Sequence, residues 1–261
     1  PSGYYGVKFI YREQDHDHSP KTILGETGDF NGDDIIEIVL KQPATAQFVA
    51  HQLHRFFVSD DPDPAAIDSL SRTFVESGYD IRAVMRSLFL SDFFKAAQFK
   101  NVKCPVELVA GTARTAGRFS DPWEFGIDEL ERLAARMGQE LLNPPTVEGW
   151  HTGREWIDSS YLIERVNYAA AMLGDPAAPG VAAMAGRIAR GRQSVRVEDL
   201  VDAVLYEMGA LTLTPADQLE LVQNLELTGE VSCGASRAVP FAGTVAQIAR
   251  TIASSREYQL E

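Results

Sequence analysis

Asp63-Pro64-Ala65-Ala66-Ile67-Asp68-Ser69-Leu70-Ser71-Arg72-Thr73-Phe74-Val75-Glu76-Ser77-Gly78-Tyr79-Asp80-Ile81 is the stretch that decides the fold class. An aspartate before a proline is a helix cap followed by a residue whose fixed φ and missing N–H suit the first helical position. Ile67, Leu70, Phe74 and Val75 then recur at helical spacing. Gly78 can take the left-handed conformation that closes a helix, and Asp80 can cap the next one. That next helix carries Ile81, Val84, Met85, Leu88, Phe89 and Phe93 on one stripe.

The same grammar runs through the rest of the chain. Ile127, Leu130, Leu133, Ala134 and Met137 precede Gly138; Tyr161, Leu162, Val166, Ala169 and Leu173 precede Gly174. Val197, Leu200, Val201, Val204, Leu205 and Met208 precede Gly209, Thr214-Pro215 starts a further helix, and Val245, Ile248 and Ile252 mark the last. Only Tyr4–Tyr11 alternates like a strand. The expected fold is all-α, an irregular multi-helix domain with a minor N-terminal β element. Residues 1–32 form an extended segment and 33–261 the helical domain, with a weak boundary near 175–193 where Pro176, Pro179, Gly180, Gly186 and Gly191 cluster. Residues 1–32 have little apolar periodicity and must be held by the helices behind them, with Lys21–Gly25 against the helix at 43–58. In that helix Ala46, Val49, Leu53, Phe56 and Phe57 form one apolar face and Phe48 lies on the back, as in a central helix covered on both sides. Asp34 and Glu37 have capping-box spacing.

Of the 261 residues, 45% are hydrophobic and 23% charged, an ordinary globular composition. A formal charge of −13 disfavours a nucleic-acid surface, which needs clustered Lys and Arg. No apolar run approaches the roughly 18 residues needed to span a bilayer. Cys104 and Cys233 match no metal-ligand spacing; an exported protein would allow them to pair, a cytosolic one would keep them as buried thiols, and the sequence leaves both open.

Asn143-Pro144-Pro145-Thr146-Val147-Glu148-Gly149-Trp150-His151-Thr152-Gly153-Arg154-Glu155-Trp156-Ile157 is a shaped loop, too rich in Pro and Gly for a helix or strand. Trp150 or Trp156 is expected to be buried as its anchor. Alternatively these two, with Trp123, line a binding groove. His16-Asp17-His18-Ser19-Pro20-Lys21-Thr22-Ile23-Leu24-Gly25 and Gln42-Pro43-Ala44-Thr45-Ala46 are the other distinctive segments. Together with the Pro/Trp loop they resemble, over nearly the whole chain, the bacterial family catalogued as domain of unknown function number eighteen hundred. That family has no established activity to carry over, and its pattern keeps a His-Asp pair where His16 and Asp17 stand and a Lys where Lys21 stands.

The resemblance implies several further things. Members are longer, with an upstream helical half that follows a secretion signal, so this chain corresponds to the C-terminal half, trimmed or processed. The setting is extracytoplasmic, either periplasmic or secreted. Neighbouring genes encode proteins resembling sulfatases and alkaline phosphatases, which implies a partner of that kind.

The histidines are the remaining chemical signal. In an extended backbone His16 and His18 point to one side and Asp17 to the other. His51 and His54, three apart on a helix, share its less apolar side. These four histidines are the candidate transition-metal ligands, with Glu13, Asp15 and Asp17 as oxygen donors; His16, Asp17, Lys21, Trp150 and Trp156 are the candidate binding residues. Read blandly, the histidines only pack and hydrogen-bond. Cys104 precedes Pro105 with no adjacent His to activate it, and Gly25-Glu26-Thr27-Gly28 lacks the Walker lysine. Two readings result. One is an exported helical binding or assembly module, without catalysis or an obligatory cofactor. The other is a metal-dependent hydrolase or oxidoreductase using His16, Asp17 and His51 or His54 with residues of an upstream half.

Overall fold

The computed structural model describes residues 10–121, 123, 126–209, 211–225 and 227–260. It is all-α apart from two small two-stranded sheets, and it divides into two compact units, Pro1–Ala97 and Gln98–Glu261. Most of the strand expected at Tyr4–Tyr11 lies outside the described residues, and its last two, Ile10 and Tyr11, have no strand pairing.

In the first unit a short 3-10 turn, Glu13–Asp15, precedes a hairpin, β1 (Lys21–Ile23) and β2 (Glu26–Gly28). Leu24 and Gly25 turn it with φ of 48° and 89°, the pair of positive values that a type I′ turn requires. The register sets Lys21 opposite Gly28, Thr22 opposite Thr27 and Ile23 opposite Glu26. Five helices follow: α1 (Gly32–Leu40), α2 (Pro43–Phe57), α3 (Pro64–Glu76), α4 (Ile81–Leu90) and the single turn α5 (Asp92–Lys95). Asn31 caps α1, its side chain accepting from the amides of Asp33 and Asp34 while the Asp34 carboxylate accepts from the Asn31 backbone amide. Asp34 is therefore the third helical residue of a capping box rather than the cap expected from its spacing with Glu37.

Asp63 caps α3 through the amides of Ala65 and Ala66, and Gly78, at φ 71°, ends it. Ile67, Leu70 and Phe74 are buried, whereas Val75 falls outside the stripe and is exposed. The core of this unit joins them to Val84 and Leu88 of α4 and to Ala46 and Ala50 of α2. The buried ridge of α2 is Ala46, Ala50 and His54, one residue per turn. Two alanines there let α3 pack closely, and His54 is carried inward with them. Phe48 is 63% exposed, so α2 is covered on one side rather than both.

The second unit comprises α6 (Pro105–Ala116), α7 (Asp128–Arg136), α8 (Ser159–Leu173), α9 (Pro179–Ala189), β3 (Ser194–Arg196), α10 (Val197–Glu207), α11 (Pro215–Asn224), β4 (Glu230–Ser232) and α12 (Ala238–Ala253). α12 is central, packing on α8, α9 and α10 and burying Val245, Ile248 and Ile252 at its seam. All six apolar positions of the Val197–Met208 pattern are buried. The Pro- and Gly-rich stretch near 175–193 is a core element, because α9 buries Val181, Met184, Ala185 and Ile188. Gly180 is there for close approach: a Cβ on it would stand 2.1 Å from the Thr115 carbonyl oxygen of α6. β3 and β4 pair antiparallel, with Val195 opposite Val231.

Arg165 of α8 is wholly buried, its Nε donating to Gln259 Oε1 (2.9 Å) and its Nη2 to the Lys103 carbonyl (2.8 Å). Desolvation lowers its pKa to about 10, and the guanidinium fastens the chain end to the start of α6.

Candidate functional site

The hairpin is what builds the site. By reversing the chain at Leu24-Gly25 it carries Asp29 back beside Lys21 and the segment before it. His16 and His18, two apart on non-helical backbone, meet on one side, their Nδ1 atoms 3.5 Å apart. His18 Nδ1 lies 2.9 Å from Asp29 Oδ2, and His16 Nδ1 lies 3.7 Å from Asp29 Oδ1. Among the described residues, His16, His18 and Asp29 are the set of potential metal ligands whose donor atoms all lie within 4.8 Å of one another.

Second contacts fix how these groups face. His16 Nε2 is 3.1 Å from the Phe30 carbonyl oxygen, which can only accept; that nitrogen carries the hydrogen and Nδ1 keeps the lone pair. His18 Nε2 faces Glu13 Oε1 at 3.4 Å. The Lys21 ammonium donates to the carbonyls of Asp17 and Ser19 and pairs at 3.4 Å with Asp29 Oδ1, the oxygen that also faces His16. Tyr11 lays its ring against His16, centroids 5.4 Å apart.

Charge follows geometry. The hydrogen bond to Asp29 raises the His18 pKa, and the same bond, with help from Lys21, lowers that of Asp29. His18 and Asp29 are about half exposed, at 53% and 45%, so the cluster is open to solvent on one side.

The other candidate residues are placed elsewhere. The Asp17 carboxylate turns to the Ser19 amide (2.9 Å) and hydroxyl (2.8 Å), bonds that hold its pKa low. It is a turn-forming group and is not in the set of His16, His18 and Asp29. His51 and His54 are not in the His16 set; His54 is buried on the α2 ridge with its ring 6.3 Å from that of Phe93. Asp29, which completes the set, was not among the candidate ligands: it is 11 residues from His18 in sequence, and the only clue to it was the turn-forming Gly25.

In the Pro/Trp loop, Trp156 is 3% exposed and ends a short 3-10 turn, Gly153–Trp156, capped by Thr152 and Glu155. Trp150 is half-buried and donates from Nε1 to the Glu140 carbonyl at 2.9 Å, while Trp123 is exposed. Two tryptophans thus anchor the loop, and Trp156, being buried, offers no surface to a groove. Both cysteines are free; Cys104 caps α6, and burial pushes its thiol up to about 11, an unreactive value.

Among the described residues, no helix is long and apolar enough to cross a membrane. No curated protein and no solved structure matches the chain. A family model does, over residues 4–260, and the chain belongs to the family described as "Protein of unknown function (DUF1800)".

Proposed function

We propose that this chain is an extracytoplasmic helical binding and assembly module whose binding centre is the cluster of His16, His18, Lys21 and Asp29. The observation that carries the reading is the convergence of these groups on a segment with no apolar core. Residues 10–31 contain no buried residue, and a two-stranded hairpin is marginal by itself. Exposed ion pairs contribute little to stability, so folding alone does not account for holding these side chains in one place. A ligand does. The extracytoplasmic setting and a sulfatase- or alkaline-phosphatase-like partner come from the family resemblance and belong to the same proposal.

The second reading is a metal-dependent hydrolase or oxidoreductase. The solvent-open side of the cluster favours it, since a catalytic ion keeps a position free for water or substrate. Asp17, His51 and His54, first candidates for such a site, give it no support from where they stand.

The test is co-purification of the sulfatase-like neighbour with the full-length protein. The parent retains the partner, and His18→Ala/Asp29→Ala loses most of it at an unchanged melting temperature. Equal capture by parent and variant, or none by the parent, overturns the proposal.

A further inference from the structure

We infer that the ligand of this cluster is a single divalent transition-metal ion, of the class Zn²⁺, Co²⁺, Ni²⁺ or Fe²⁺, held by His16 Nδ1, His18 Nδ1 and the Asp29 carboxylate. The inference rests on the reading of the cluster as a binding centre and names what it binds.

Three independent features carry it. The first is spacing. Two donors each about 2.0–2.2 Å from a tetrahedral ion stand roughly 3.3 Å apart. The observed separations are 3.5 Å between the imidazole nitrogens, 3.7 Å from His16 Nδ1 to Asp29 Oδ1 and 2.9 Å from His18 Nδ1 to Asp29 Oδ2, and one donor atom from each residue lies within 4.8 Å of the other two.

The second feature is the outer contacts. Ligating histidines donate the hydrogen of the other ring nitrogen to a carboxylate or backbone carbonyl, which fixes tautomer and ring orientation. Both histidines have such an acceptor: Phe30 O for His16 at 3.1 Å and Glu13 Oε1 for His18 at 3.4 Å. For His16 this assigns the lone pair to the nitrogen that faces the other two donors. Lys21 pairs with Asp29 Oδ1, the oxygen nearer His16, while Oδ2 faces His18, so the carboxylate is held toward both histidines.

The third feature is the donor set. Two imidazoles and one carboxylate suit borderline divalent ions, whereas Ca²⁺ and Mg²⁺ prefer all-oxygen shells and Cu⁺ prefers sulfur. Three ligands from one side leave at least one position to water or to a group of the partner. The ion would also join residues 16 and 18 to residue 29 across the hairpin, giving this coreless segment a cross-link.

Isothermal titration of the full chain with ZnCl₂, and the visible spectrum with CoCl₂, test the inference. One ion per chain is expected, with Co²⁺ bands of a nitrogen- and oxygen-ligated site. His16→Ala, His18→Gln and Asp29→Asn should each weaken binding at least tenfold, and Glu13→Gln, acting through His18, by about tenfold. His18 and Asp29 are half exposed, so their variants keep the test valid if His16→Ala fails to fold. Absence of saturable binding, or 1:1 binding that survives in His18→Gln and Asp29→Asn, overturns the inference. The two proposals fail separately. A parent that captures its partner in a cluster-dependent way yet binds no ion sinks this inference alone. One that binds the ion but captures its partner irrespective of the cluster sinks the assembly reading alone.

Discussion

Trp156→Ala should be among the most damaging single substitutions in the second unit. At 3% exposure, Trp156 keeps nearly all its surface from water. An aromatic of this size buries roughly 150–250 Å², which at about 25 cal/mol per Å² amounts to about 4–6 kcal/mol. Alanine retains part of that area, and a denatured chain is already partly collapsed, so the expected loss is about 3–5 kcal/mol. Its T-shaped contact with His151, at 6.3 Å, is lost as well. For a chain of this size, that loss lowers the melting temperature by roughly 6–20 °C. Trp150→Phe is the internal control. It keeps a ring on the half-buried site and removes only the Nε1 hydrogen bond to Glu140, worth about 0.5–1.5 kcal/mol. Scanning calorimetry and urea titration followed by circular dichroism give both values. The reasoning is refuted if Trp156→Ala melts within about 1 kcal/mol of the parent, or if the control costs more.

Gly180→Ala places a Cβ 2.1 Å from the Thr115 carbonyl oxygen, so α6 and α9 must separate; a loss of about 3 kcal/mol by urea titration is expected. Arg165→Met removes the two bonds that fasten Lys103 to Gln259, and amide exchange at Lys103, which donates to the Gln259 carbonyl at 2.9 Å, should quicken. In the ion-free protein the His18 pKa is raised, so its pairing is fully present below its unfolded value of about 6.5 and is lost as pH rises through the folded value. The Asp29 pKa is lowered, so its share is present above about 3.9 and is lost as pH falls through its own folded value. Imidazole titration by NMR should give His18 a midpoint above 6.5, and Asp29→Asn should lower it; an unmoved midpoint would contradict the pairing.

What the sequence made legible was what local rules determine. Asp63-Pro64 and the six apolar positions from Val197 to Met208 could be placed because cap and period act within a few residues. Long-range contacts were not legible. β3 and β4 pair across a separation of 36 residues, and the buried Arg165 draws its partners from Lys103 and Gln259, far away in both directions. His54 reads as a polar residue on a helix face until the small side chains of Ala46 and Ala50 bring α3 against the same ridge. The site was half visible. The alternation from His16 to His18 showed in the sequence, but Asp29 reaches them only because Leu24 and Gly25 reverse the chain. The hydrogen bonds of Asp17 to Ser19 show why the carboxylate nearest in sequence is not the one that joins the two histidines in space.

The central claim is that His16 and His18 converge with Asp29 and act together on one ligand. Long-range ¹H–¹⁵N NMR of the five imidazoles during a zinc titration tests it most directly. Before zinc, His16 should show the tautomer with hydrogen on Nε2, set by the Phe30 carbonyl. On addition of zinc, the Nδ1 resonances of His16 and His18 should shift together and saturate at one equivalent, while His51, His54 and His151 stay unmoved. Independent movement of His16 and His18, or a response centred on another histidine, would contradict the account.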